Sequence, residues 1–162
     1  IPILSLSAPE RQHIRDSLDW DDLKWLRDRW SGRLIIKGVL SAEDVKLANK
    51  VGLDGVILSN HGGRQLDTAI SPLGVIEASA RDKGKMMILF DSGIRRGTDV
   101  VKALALGADF VFAGRPFLFS VVTAGYSGVS HAVDLLASEI DRTIALLGCN
   151  DLYNLGSRIV RD

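Results

Sequence analysis

Moved 55 positions along itself, the sequence matches itself without a gap, residues 37–60 falling on 92–115. Gly38 meets Gly93, Asp44 meets Asp99, Val45 meets Val100 and Ala48 meets Ala103. Gly52 then meets Gly107, Asp54 meets Asp109 and Val56 meets Val111. A period of this length holds two strand–helix units of about 27 residues each, the size of a unit in a β/α barrel.

The local signals agree. LIIKG, GVILS, MMILFDSG and FVFAGRP read as strands. SAEDVKLANKVG, SPLGVIEASARDKG and GTDVVKALALGAD between them read as helices. Ser41 and Asp44 match a capping box, Gly52 is a helix stop, and Pro72 suits a first turn. Short strands alternating with helices predict a parallel sheet, and their continuous apolar runs predict cover on both faces. Four such units make half of a (β/α)8 barrel; a doubly wound open sheet is the competing arrangement. A half barrel leaves two raw sheet edges, so its complement must come from elsewhere.

Before the first strand, Asp19 is a plausible N-cap, with Asp21 and Asp22 in the first turn and Arg27 and Arg29 late. Leu23, Leu26 and Trp30 share one face, and the three tryptophans are expected to pack in the core. Ile1–Leu6 is read as an edge strand or a connection ended by Pro9. Residues 117–147 read as mostly helical, interrupted near Gly125 and Gly128.

The 162 residues suit one domain, 1–162, with an irregular lead-in over 1–16 and a core over 17–150. The 20 basic and 20 acidic residues balance, which gives no signal for nucleic acid. Cys149 stands alone, excluding an internal disulfide and fitting a reducing compartment. No apolar run reaches membrane-spanning length, and IPILSLSAPE lacks the basic start of a signal peptide. With no initiator Met, the chain reads as a fragment, a processed product or part of something longer.

In barrels the chemistry gathers at the C-terminal ends of the strands. Those ends carry Lys37, then Ser59 with His61 and Arg64, then Asp91 with Gly93 and Arg95, then Gly114 with Arg115. Lys37 reads either as a side chain reaching solvent or as a fixed cation facing a developing anion. His61 is a candidate base, because its ring titrates near neutrality. Gly62 and Gly63 admit close approach, and Arg64 offers a planar fork suited to a carboxylate. Base and clamp three residues apart suit a small acid that loses a neighbouring proton. Asp67 is assigned to holding the loop. DSGIRRG and AGRP read as anion-binding turns on successive strands, favouring phosphate. No metal constellation, Walker A loop, GxGxxG or GxSxG appears.

IIKG, SNHGGRQLD, DSGIRRGTD and AGRP, in this order and spacing, resemble the C-terminal half of the FMN-dependent α-hydroxy acid dehydrogenases and oxidases. The resemblance spans residues 17–150. It implies FMN at the barrel's C-terminal rim and oxidation of a small 2-hydroxy acid to the 2-oxo acid. Lys37 would face the flavin N1/O2 edge and stabilise the reduced ring, and Ser59 would touch the flavin. His61 would be the base, beside the flavin, and Arg64 would hold the substrate carboxylate. Asp91, Gly93 and Arg95 would hold the ribityl-phosphate, completed by Gly114 and Arg115.

The family's first four strands supply further flavin contacts, a substrate-binding Tyr and the carboxylate that orients the catalytic His; none appears here. The expected partner is therefore an N-terminal half barrel, or a second copy in an oligomer, the family being often homo-oligomeric. The chain alone is expected to be inactive. The alternative is a non-catalytic half barrel that binds FMN or phosphate, or only pairs with another half. The expected location is intracellular, cytoplasmic or attached to a membrane through a region outside this chain.

Overall fold

The computed structural model describes residues 18–152 and Leu155. The expected segment at Ile1–Leu6 lies outside them. Helix α1 (Trp20–Arg29) precedes β1 (Ile35–Val39), α2 (Ala42–Val51), β2 (Gly55–Leu58) and two 3-10 turns, His61–Gly63 and Pro72–Val75. Then come α3 (Ile76–Asp82), β3 (Met87–Phe90), α4 (Gly97–Ala105), β4 (Phe110–Val111) and α5 (Arg115–Leu146).

The helix ends follow the sequence. Asp19 caps α1 in a full capping box with Asp22, and acidic and basic residues sit at opposite ends of its dipole. Ser41 Oγ accepts from Asp44 N at 3.1 Å. Gly52 ends α2 in the left-handed region. The segment begun by Pro72 divides into a 3-10 turn and a shorter α-helix. Helix α5 breaks at Ala124 and Gly125. The fourth strand pairs only over Phe110–Val111, shorter than FVFAGRP predicts, because it is an edge and its chain turns at once into α5.

The four strands are parallel in the order β1-β2-β3-β4. Each helical crossover steps the same way. A doubly wound sheet would reverse direction, so this is a half barrel.

The repeat carries into three dimensions with one refinement. Ile35 pairs with Gly55 and Leu89 pairs with Phe110, so the paired strands recur 54 residues apart and their partners 55. Leu34 N donates to Asp54 Oδ2, and Ile88 N donates to Asp109 Oδ2, with the same offset. Both carboxylates also hold a cation, Arg27 at 2.9 Å and Lys83 at 2.6 Å. Asp54 sits below the ordinary carboxyl range, chiefly through the Leu34 amide, with Arg27 adding to it. The change from 54 to 55 makes Lys37 the counterpart of Asp91 and Gly38 that of Gly93. Ser92 is thus an added residue.

Cover on both sheet faces is not found. Val56, Leu58, Ile88 and Phe90 point to the helices and form the buried core with Val45, Ala48 and Ile76. The alternate residues face away from those helices, and towards the sheet's ends they are open: Ile35 is 41% exposed, Met87 39%, Phe110 51% and Phe112 40%, while Leu89 in the middle is buried at 7%. Apolar runs occur in strands buried on both faces, and this chain supplies cover for one. The tryptophans also depart from expectation. Trp20 packs on the core, whereas Trp25 and Trp30 are exposed. Arg29 stacks over the Trp25 ring at 4.1 Å, and Trp30 Nε1 donates to Arg33 O. A second cluster joins α4 and α5 around Val101, Cys149 and Leu155.

One-sided cover sets a stability contrast. Ile88→Ala is expected to cost about 3 kcal/mol of unfolding free energy, and Ile35→Thr less than about 1 kcal/mol, in urea titrations of the chain.

Candidate functional site

The ends of all four strands and their loops meet in a cleft of about 680 Å³, a volume suited to a small-molecule ligand. Its polar lining includes Lys37, His61, Arg64, Asp91, Ser92 and Arg115. The backbone of Gly93 and Gly114 faces it, with Ile94, Phe112 and Leu118 as apolar wall. Three cations against one carboxylate give the cleft a positive field that favours an anion.

At its floor Lys37 is held rather than free. Its Nζ lies 2.9 Å from Asp91 Oδ2 and donates to Ser59 Oγ at 2.9 Å. Burial raises the Asp91 carboxyl. Hydrogen bonds from Ser59, Lys37 and Ser92, with the Lys37 charge, outweigh that and hold it below the ordinary range. Ser59 is fully buried beneath the cleft.

The His61 loop is built on this floor. His61 N donates to Ser59 Oγ at 3.0 Å. Gly62 N donates to Asn60 Oδ1 at 3.0 Å and to Ser92 Oγ at 3.1 Å. Arg115 Nη2 reaches across from the end of β4 to donate to Gly62 O at 3.1 Å. Gly62 stands at φ +67, and a Cβ there would meet Arg115 Nη2 at 2.8 Å. The His61 ring lies against Gly38, the extra residue in a register shift of β1. A Cβ on Gly38 would meet His61 Cε1 at 2.8 Å. Arg64 closes the turn through its own N–H to His61 O, leaving its guanidinium on the cleft wall.

The structure therefore brings Lys37, His61, Arg64, Asp91, Gly93, Gly114 and Arg115 into one cleft, with Ser59 directly below. Arg95 is exposed and outside the lining; its backbone N–H donates to Asp99 Oδ2. Gly38 and Ser92 also belong to the site, and no motif in the sequence singles them out. A glycine directly after the strand-end Lys37 was the available sign of the first. The second is visible only once the offset of the repeat is known. Among the described residues no group of metal-binding side chains occurs.

A phosphate-bearing ligand fits this lining. Added Cβ atoms at Gly93 and Gly114 would meet nothing within 4 Å, so backbone faces open space at both. Gly114 is also the N-cap of α5 with no side-chain cap, a helix N-terminus open to an anion beside Arg115.

Residues 4–162 match the family described as FMN-dependent dehydrogenase. The chain is 52% identical over 139 residues to (S)-mandelate dehydrogenase of Pseudomonas putida, covering 86% of this chain and 35% of that protein. It is 47% identical over 151 residues to glycolate oxidase 3 of Oryza sativa subsp. indica, covering 93% and 41%. It resembles the crystal structure of a monotopic membrane protein, (S)-mandelate dehydrogenase, with a TM-score of 0.82 and 45% identity. That likeness covers 93% of this chain and 43% of that one. The chain thus spans well under half the length of these relatives. No described helix is long and apolar enough to cross a membrane.

Two outcomes follow from the geometry. Asp91 adds stability that is full above the unfolded carboxyl value near 3.8 and is lost as pH falls through its lower folded value. Urea titrations from pH 6 to pH 2.5 are expected to show wild type converging on Asp91→Asn below that point. Gly38→Ala is expected to cost about 1–2 kcal/mol from its left-handed backbone alone and to shift the His61 ring resonances.

Proposed function

The chain belongs to the FMN-dependent dehydrogenase family, and from that premise we propose that it carries the base and acid clamp for oxidising a small 2-hydroxy acid to the 2-oxo acid. The observation that carries this reading is His61 and Arg64 on one loop, facing a cleft whose floor holds Lys37. When bound, FMN would accept the two electrons together with the hydrogen that His61 does not take.

Arg64 grips the substrate carboxylate, its planar fork matching the two oxygens. His61 takes a proton from the hydroxyl or from Cα; both routes need the same base. Lys37 places a fixed positive charge where electron density arrives. Gly93, Gly114 and Arg115 would hold the phosphate of FMN, and Asp91 would lie toward its ribityl chain. The motif would add Arg95, which is exposed in this structure and lies outside the cleft lining.

The chain works as one half of a barrel. Support comes from the open apolar sheet face and from relatives more than twice as long. In this reading residues 1–162 are one partial domain, and a complementary half barrel covers Ile35, Met87 and Phe110. That half also supplies the carboxylate that orients His61. The names of the relatives point to mandelate and glycolate as the first acids to try.

The test joins this chain to the preceding portion of the Pseudomonas putida mandelate dehydrogenase. The hybrid is expected to bind FMN and to bleach anaerobically on adding a 2-hydroxy acid; the isolated chain is not. His61→Ala should slow bleaching about a thousandfold, the range of a lost general base. Arg64→Ala should chiefly raise KM. A hybrid that binds FMN but never bleaches, or bleaches fully without His61, contradicts the proposal.

A further inference from the structure

We propose that Ser92 is a positioning residue that fixes the backbone of His61, an inference that rests on His61 being the base. Ser92 has no counterpart in the first repeat, since Lys37 corresponds to Asp91 and Gly38 to Gly93. Its φ is +78 and that of His61 is +56; they are the two described non-glycine residues in the left-handed region. A serine held there, where glycine is at ease, needs something to hold it.

Its hydroxyl does so. Ser92 Oγ donates to Asp91 Oδ1 at 2.8 Å and accepts from Gly62 N at 3.1 Å. On the other side of His61, the His61 N–H is held by Ser59 Oγ. The peptide groups before and after the His61 Cα are thus each anchored by a serine hydroxyl. Ser59 in turn receives Lys37, Lys37 pairs with Asp91, and Asp91 receives Ser92. The ring of contacts closes around the base. Gly62 N also donates to Asn60, but Asn60 belongs to the same loop and cannot fix it to β3. Ser92 makes that link.

Ser92→Gly and Ser92→Ala test this in the hybrid enzyme and in the chain itself. Glycine suits the backbone and keeps the test open should alanine fail to fold. Amide exchange at Gly62 is expected to rise about threefold or more in both, while Leu58 and Phe90 stay unchanged. In the hybrid, kcat is expected to fall roughly tenfold with KM little altered, because the base is misplaced and the carboxylate clamp is not. Unchanged Gly62 exchange in both variants overturns the proposal, as does faster exchange spread equally to Leu58 and Phe90. Unchanged kcat in both, alongside an inactive His61→Ala hybrid, also overturns it. Should His61→Ala remain active, the assignment of the base fails, and the anchoring by Ser92 is decided by Gly62 exchange alone.

Discussion

The contact between Lys37 and Asp91 is the one on which the site depends. It spans the ends of β1 and β3, with β2 between them, and Ser59 from β2 fills the gap. A lysine alone at a strand end would trade its place for water at little cost. Here two partners fix it, and hydrogen bonds to charged groups contribute about 1.5–3 kcal/mol each. Left-handed backbone at His61 and Ser92 costs of order 1–3 kcal/mol apiece, a comparable sum. The floor can therefore hold the strained loop above it, and that loop carries His61.

The internal repeat explains how such a pair arises. Lys37 and Asp91 occupy equivalent places in two copies of one strand–helix unit. Symmetry brings the two strand ends to the same height, and opposite charges at that height attract. The lower rim obeys the same symmetry through Asp54 and Asp109, each binding the start of the preceding strand and a cation. The lower pair keeps the symmetry, and the upper rim departs from it. Ser92 is such a departure.

Much of this was legible in the chain. The helix caps at Asp19, Ser41 and Gly52 are local chemistry and need no tertiary knowledge. Clustering of Lys37, His61, Arg64, Asp91 and Arg115 followed from placing strands in parallel and reading their ends. What escaped depends on distant partners. Apolar strands do not declare whether the chain itself covers their second face, so Ile35 and Phe110 were expected inside. Trp25 carries the same apolar surface whether it meets a core or the cation of Arg29. The gapless alignment set Lys37 against Ser92, and only strand register sets it against Asp91. The motif places Arg95 with the phosphate ligands, whereas its side chain's direction depends on how the turn before α4 is held by Asp99.

In the proposed function these strand ends form one cleft for the flavin phosphate and the acid. The most direct measurement is a fluorescence titration of FMN and of riboflavin, which lacks the phosphate, against the hybrid barrel carrying this chain. One FMN per barrel is expected, bound about tenfold or more tightly than riboflavin, with the gap narrowing as salt is raised. Equal affinity for the two at every salt concentration would contradict it.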